Sequence, residues 1–209
     1  MPGIAGRKAL VKVPGAPVAF AGEATTNTGD DQTYQITNAA KRVWDRDTVL
    51  VVKEAGVPTV ESYTYNRLTG KVTFAAPDGG RGAVTLDGAY LPMSVAIGAY
   101  AFSYSIAKAM LIDTDFDGAF TSGYDSYQPG MLSVEGSISR RLTTDLSLRD
   151  AALSGDPVVI QLFIDRTGAV DLALWAILDQ RGAEAAFDAI QAESIQFKGT
   201  ADDQGVVAA

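Results

Sequence analysis

Cysteine is absent from this 209-residue chain, and so is histidine. Without cysteine there are no disulfides, thiolate metal ligands or cysteine nucleophile, so packing and backbone hydrogen bonds alone must hold the fold. Without histidine the usual general base near neutral pH is gone, and with it the Ser-His-Asp and Cys-His arrangements and the commonest zinc ligand. No Pro-, Gly- or Ser-rich linker divides the chain and no repeat stands out beyond recurring hairpin patterns, so one domain over residues 1–209 is expected. Arg7, Lys8 and Lys12 are followed by Pro14 and Pro17 and by no apolar run of secretory length, which predicts a protein that stays in the cytosol where it is made. One uncharged stretch, residues 88–107, has the length of a membrane span. Pro92 and Gly98 break it, and Phe102, Tyr104 and Ile106 alternate with Ser103, Ser105 and Ala107, so it reads as a strand.

With 47% hydrophobic and 20% charged residues, the chain has enough apolar side chains for a core of ordinary size. Period-two alternation predicts strands near residues 9–13, 18–20, 48–53, 61–65, 71–75, 83–86, 100–110, 132–140, 158–165, 170–179 and 189–199. The turn Asp165-Arg-Thr-Gly168 should join two of these as a hairpin. A helix of about three turns is expected before them, with Thr144 or Asp145 at its N-cap and an apolar stripe of Leu146, Leu148, Ala152 and Leu153. Gly155 and Pro157 would stop it. The fold class is therefore mainly β: an antiparallel β-sandwich or partly closed barrel with one flanking α-helix. Trp44 and Trp175 are expected as core or interface anchors. Trp175 shares its strand face with Asp171 and Asp179, opposite Leu172, Leu174 and Leu178, so that second face needs a cover: the helix is favoured, another subunit is the alternative.

The net charge of −8 is uneven, the C-terminal third, residues 141–209, carrying five Lys/Arg against eleven Asp/Glu. An acidic surface disfavours binding to nucleic-acid phosphates, so a DNA-binding protein is not expected; plain solubility is the simpler reading of the same charge. Asp113, Asp115 and Asp117 in Asp113-Thr-Asp-Phe-Asp-Gly118 have the spacing of a calcium loop. Tyr124 stands where that loop needs a bidentate Glu and a strand precedes it, so an EF-hand is not expected; Asp125 could complete another Ca2+ geometry, and a solvated loop is the bland reading. Gly79-Gly-Arg-Gly82 lacks the Lys-Ser/Thr of a phosphate loop and reads as a hairpin turn. No carboxylate pair is singled out for glycoside hydrolysis. No catalytic residue and no cofactor is assigned.

The order of strand, short helix and further strands over residues 129–200, closing on Ala192-Glu-Ser-Ile-Gln-Phe-Lys-Gly-Thr200, resembles the major tail proteins of long-tailed bacteriophages. Tyr34-Gln-Ile-Thr-Asn-Ala-Ala-Lys-Arg-Val-Trp-Asp45, Asn66-Arg-Leu-Thr-Gly-Lys-Val-Thr-Phe74 and Gly88-Ala-Tyr-Leu-Pro-Met93 are similar to segments of one such group. The resemblance implies a structural subunit with no enzymatic activity, made in the host cytoplasm and located in the virion tail. It implies stacked, hexameric rings forming a tail tube, with a tape-measure protein inside during construction and DNA passing through an acidic lumen at delivery. Residues 1–6, 22–33 and 113–127 are the candidates for contacts between rings, polar or Gly-rich segments expected to order on stacking. The alternative is another phage β-domain, such as a baseplate, decoration or receptor-binding module. An unrecognised carboxylate hydrolase is the third class.

Overall fold

The chain begins one sheet, leaves it to build a second, and returns to finish the first. The structure, a computed structural model, describes residues 9–77, 80–112, 127–141, 143, 147–184 and 191–208. Strand β1 (Leu10–Pro14) is followed by β2 (Val18–Asn27), β3 (Thr33–Ile36), β4 (Val51–Glu54), β5 (Val57–Pro58), β6 (Tyr63–Asn66), β7 (Lys71–Phe74) and β8 (Val84–Tyr90). Strand β9 (Met93–Val95) then lies antiparallel beside β1, with Lys12 opposite Val95 and Pro14 opposite Met93. The chain continues through β10 (Ala99–Ile112), β11 (Tyr127–Arg141), helix α1 (Ser147–Ser154), β12 (Val158–Phe163), β13 (Leu172–Glu184) and β14 (Ala192–Gly199).

The two seven-stranded sheets have the orders β10-β11-β14-β13-β12-β1-β9 and β5-β4-β8-β2-β3-β7-β6. All paired neighbours are antiparallel. Both sheets must be rolled. The outermost strands β9 and β10 are joined by residues 96–98 alone, a link of at most about 14 Å, whereas six strand spacings in a flat sheet would separate them by about 29 Å. The same holds for β5 and β6, joined by residues 59–62. Mainly β, antiparallel and with one α-helix among the described residues, the structure has the expected fold class, its two sheets each curled in the manner of a sandwich or partly closed barrel and called barrels below. One barrel, the insert (β2–β8), stands in the place of the β1–β9 hairpin loop of the other, the frame. Its neck is tied where Gly15 N–H donates to Pro92 O at 2.9 Å.

Each barrel closes by its own device. In the frame, Ala96 N–H donates to Val11 O and Arg141 N–H to Gly98 O. Gly98 has φ +81°, and a Cβ there would stand 2.9 Å from Arg141 O, so only glycine makes this corner. In the insert, Arg81 bridges the seam: its Nη1 lies 2.5 Å from Glu54 Oε1 and 2.8 Å from Glu61 Oε2, and the guanidinium stands 3.7 Å over the Phe74 ring. The loop carrying Arg81 is not the hairpin turn that Gly79-Gly-Arg-Gly82 suggests, because β7 and β8 are not neighbours; it crosses from one side of the seam to the other.

The interiors follow from alternation. Phe20, Tyr34, Ile36, Trp44, Val52, Val72, Phe74 and Leu86 fill the insert. Val11, Ile138, Ile160, Leu162, Leu174, Leu178, Ile195 and Phe197 fill the frame, where Leu148, Ala151 and Ala152 of α1 join them. The helix is described from Ser147 to Ser154, Leu153 is exposed rather than part of its stripe, and Thr144, Asp145 and Leu146 lie outside the described residues. β13 runs on to Glu184 through what reads as a polar excursion, and β2 extends to Asn27. Gly22–Thr33 is accordingly no free loop. It is mostly strand, and its turn is pinned by Asp30 Oδ1, which accepts from Gln32 N–H and Thr33 N–H at 3.1 and 2.6 Å. Hydrogen bonds from Thr33 first, and from Gln32, hold the Asp30 carboxyl down at about 2.

Candidate assembly edges

Most edges of these sheets are short. β5 has two residues, β9 three and β6 four, which leaves little unpaired backbone for another chain. β10 is different. Its fourteen residues have β11 on one side and no strand on the other among the described residues. Pairing of Met110 with Pro129, Leu111 with Gln128 and Ile112 with Tyr127 carries this hairpin beyond the last β11–β14 pair, Glu135 with Lys198. A second open edge lies three strands away, on β13. β12 pairs with β13 only as far as Ala176, so residues 177–184 of β13 have β14 on one side and no strand on the other among the described residues. β10, β11, β14 and the second half of β13 thus form a four-stranded ribbon open along both sides.

One face of the ribbon is filled by the frame core. On it, Arg140 and Arg181 both bond Glu193, whose side chain is wholly buried; Arg181 Nε lies 2.6 Å from Glu193 Oε2. The β-bulge between Leu178 and Gln180 brings this about: by shifting the register one residue it turns Arg181 to the side of Ile195 and Glu193. The opposite face carries Ser103, Ser105, Glu135, Ser137, Ser194, Gln196, Lys198, Ile177 and Asp179, partly or fully exposed. Ser103 and Ser137 hydroxyls bond at 3.0 Å and Lys198 Nζ lies 2.9 Å from Asp179 Oδ2. That bond first, then the charges of Asp179 and Glu135, raises the lysine above its ordinary range. The face is hollowed over Gly136 into a depression of about 370 Å³.

Where the first half of β13 turns the same face outward, the insert covers it. Val159, Ala173 and Trp175 pack against Val43, Leu68 and Leu91, and the Arg46 guanidinium lies 5.6 Å from the centre of the Trp175 ring. The cover of Trp175 is therefore the insert and not the helix, which packs on the Leu174 face. The three N-terminal segments singled out in the sequence meet here: Trp44 N–H donates to Arg67 O, Leu91 N–H to Val43 O, and Asp45 N–H to Ala89 O. The C-terminal stretch locks the junction. Trp175 N–H donates to Val207 O, and Asp203 takes both Nε and Nη2 of buried Arg67 at 3.0 Å. Arg67 also reaches Asp45 O, Thr48 O and the Tyr65 hydroxyl, which itself donates to Asp203 at 2.5 Å. The Arg67 bonds hold Asp203 below the usual carboxylate range, and burial followed by the Asp203 bond raises the Tyr65 phenol.

Asp113, Asp115 and Asp117 lie outside the described residues, as do residues 1–6 and, save Tyr127, the stretch 113–127. Among the described residues no three carboxylates gather into a metal-ligand cluster, and no helix is long and apolar enough to cross a membrane. Sequence reading missed Arg67, Arg81, Arg140, Glu193 and Asp203. Three of them lay in segments singled out for other reasons: Arg67 in Asn66-Arg-Leu-Thr-Gly70, Arg81 in Gly79-Gly-Arg-Gly82 and Glu193 in Ala192–Thr200.

No protein-family model matches the chain, and no curated protein matches its sequence. Among solved structures, 52% of the chain is similar to 82% of a chain in the tail of an empty gene transfer agent particle computed with C6 symmetry, at a TM-score of 0.45 and 11% identity. The same share is similar to 84% of a chain in the virion of a native gene transfer agent particle, at a TM-score of 0.44 and 12% identity.

Proposed function

We propose that this chain is the repeating subunit of a phage-like tail tube, and that the open ribbon edges are its working surfaces. The observation that carries the reading is that one ribbon offers two unpaired edges among the described residues, β10 on one side and residues 177–184 of β13 on the other. An exposed edge is a row of backbone donors and acceptors that another chain can complete. Two different edges make a head-to-tail contact, which closes into a ring when the rotation allows. With the six copies that the sequence resemblance implies, four strands each at a tilt of about 40° give a cylinder about 48 Å across at the backbone, wide enough for a DNA duplex. The rings stack into a conduit, filled by a tape-measure protein during assembly and traversed by DNA at delivery. The protein performs no reaction; assembly in the host cytoplasm places it in the virion tail. The net charge of −8 keeps the tube as a whole from adhering to its cargo.

The test is electron microscopy of the purified protein, alone and with an initiating tail complex. Rings or cylinders of uniform width are expected. Ile106→Lys, a charge set on the open β10 edge, should leave a folded, soluble subunit that makes no tubes. A wild-type chain that stays a monomer or compact trimer under all conditions abandons the tube reading for that of a binding module.

A further inference from the structure

Three shallow hollows open on one face of the insert. The outward side of strands β2, β3, β7 and β6 sets Thr26, Gln35, Lys71 and Asn66 in one row and Thr33, Thr73 and Thr64 in the next, while Tyr34, Val72 and Phe74 turn into the core. A hollow of about 270 Å³ lies on the β2–β3 side, against Thr37 and Arg42. One of about 470 Å³ lies on the β6–β7 side, beside Lys71 and walled by Tyr65 and Gln204. Thr69 brings to it a buried hydroxyl that has no hydrogen-bond partner. The third, of about 310 Å³, runs on from Thr64 and Thr73 to Ser62 and Tyr63. The chain has 25 Asp and Glu, yet none of them lines these hollows, whose two charged residues are the cations Lys71 and Arg42. Arg42 donates its Nε–H to Ile36 O at 3.0 Å, and neither cation has an ion-pair partner among the described residues. Of the neighbouring carboxylates, Glu23 pairs with Lys41, Glu61 with Arg81 and Asp203 with Arg67, and Asp30 accepts from the backbone of its own turn. Asp31, in that same turn, lines none of the three hollows.

We infer that this face of the insert binds an acidic polysaccharide, a chain of sugars bearing carboxylate or phosphate. Sugar hydroxyls both donate and accept, and threonine and amide side chains answer in both senses. Lys71 and Arg42 supply the charge partners for the anionic groups. Tyr63 and Tyr65, half-buried on the edge strand β6, add apolar ring surface for the C–H side of a sugar. Hollows set side by side along a sheet suit a chain lying across them better than a small molecule engulfed by one. A nucleic acid fits less well, because a duplex is held by several cations that displace its counterions, and this face has two in a chain of net charge −8. The face shares no residue with the ribbon edges, so the inference goes beyond the tube reading and stands without it. In a tube the site recurs in every copy, and recurrence turns weak single contacts into firm adhesion.

Affinity electrophoresis of the folded, unassembled subunit tests this. Polygalacturonate and a phosphomannan serve as the acidic probes, dextran as the neutral one and a short DNA duplex as the competing class. At least one acidic polymer should retard the wild-type chain while dextran and DNA leave it unmoved, and the polymer that retards more identifies the anion as carboxylate or phosphate. Lys71→Ala should weaken the retardation about tenfold, and Lys71→Arg should keep most of it. Thr64→Val removes a hydroxyl from the floor shared by two of the hollows and should weaken it by a smaller factor. Arg166→Ala removes the same charge from the exposed turn between β12 and β13 and should change nothing. No retardation by either acidic polymer, or equal retardation by dextran, overturns the inference. A loss in Arg166→Ala equal to that in Lys71→Ala does so as well, since the effect then belongs to net charge and not to this face. Stronger retardation by DNA than by either polysaccharide overturns it in favour of a nucleic-acid surface.

Discussion

Replacing Trp175 by alanine should uncouple the two barrels. The ring is 1% exposed and sits at the centre of the apolar cluster through which the insert touches the frame, against Val43, Leu68 and Leu91, with Arg46 over its face. Removing a side chain of this size from a packed site costs about 3–5 kcal/mol, comparable with the whole stability margin of many domains. Trp175→Phe keeps one aromatic ring in the site and leaves a smaller cavity, so it should cost less than the alanine substitution. The assay uses the fact that the chain has two tryptophans. Once Trp175 is gone, Trp44, wholly buried in the insert core, reports that barrel alone by fluorescence, while far-ultraviolet circular dichroism reports both. In urea the parent should unfold in one transition by both probes, as a single cooperative unit of residues 1–209. In Trp175→Ala the two curves should separate, the midpoint of one falling by an amount equivalent to about 4 kcal/mol. Coincident curves with a loss below about 1 kcal/mol would refute the claim that this contact joins the barrels.

Asp203 gives the junction a pH dependence. Its folded carboxyl is depressed by Arg67, so its contribution is complete above the ordinary carboxylate range and is lost as pH falls through the depressed folded value. Asp203→Asn should therefore lower the melting temperature at neutral pH and flatten the loss of stability below about pH 4, measured by thermal scans across that range. Gly136→Ala would set a Cβ 2.4 Å from Phe197 Cζ and 2.3 Å from Ser103 O; a destabilisation of at least about 2 kcal/mol in chemical denaturation is expected, with the ribbon the first part to exchange its amide hydrogens. Arg81→Ala would leave Glu54 and Glu61 facing each other across the insert seam and strip the cover from Phe74, lowering stability by about 2–4 kcal/mol while sparing the frame, as resolved by the Trp44 signal in a Trp175→Phe background.

Strand identity was legible because it depends on neighbours two residues apart. Val158 to Phe163 and the stretch from Leu172 show their dry face in the order of letters, and the turn Asp165-Arg-Thr-Gly168 announces the hairpin between them. Of the missed strands, β5 and β9 are two and three residues long, too short for a period to establish itself, while β3 alternates over Thr33–Ile36 but is no longer than the four-residue strands that were found. The end of β13 was hidden for another reason: the bulge at Leu178–Gln180 breaks the alternation, so Arg181 reads as solvent-facing while the fold turns it onto Glu193.

The absence of cysteine and histidine, the alternation of apolar residues and the acidic balance are properties of composition and near neighbours, so the sequence alone determined an antiparallel β protein held by packing, with no histidine- or thiol-based chemistry. The rolling of two sheets, the placing of one inside a hairpin of the other, and the cover over Trp175 arise from contacts between residues far apart in the chain, such as Arg67 with Asp203 and Lys12 with Val95. Which edges stay open is decided at the same level. An edge is defined by the strand that fails to arrive beside it, and that is settled only when every other strand has found its place.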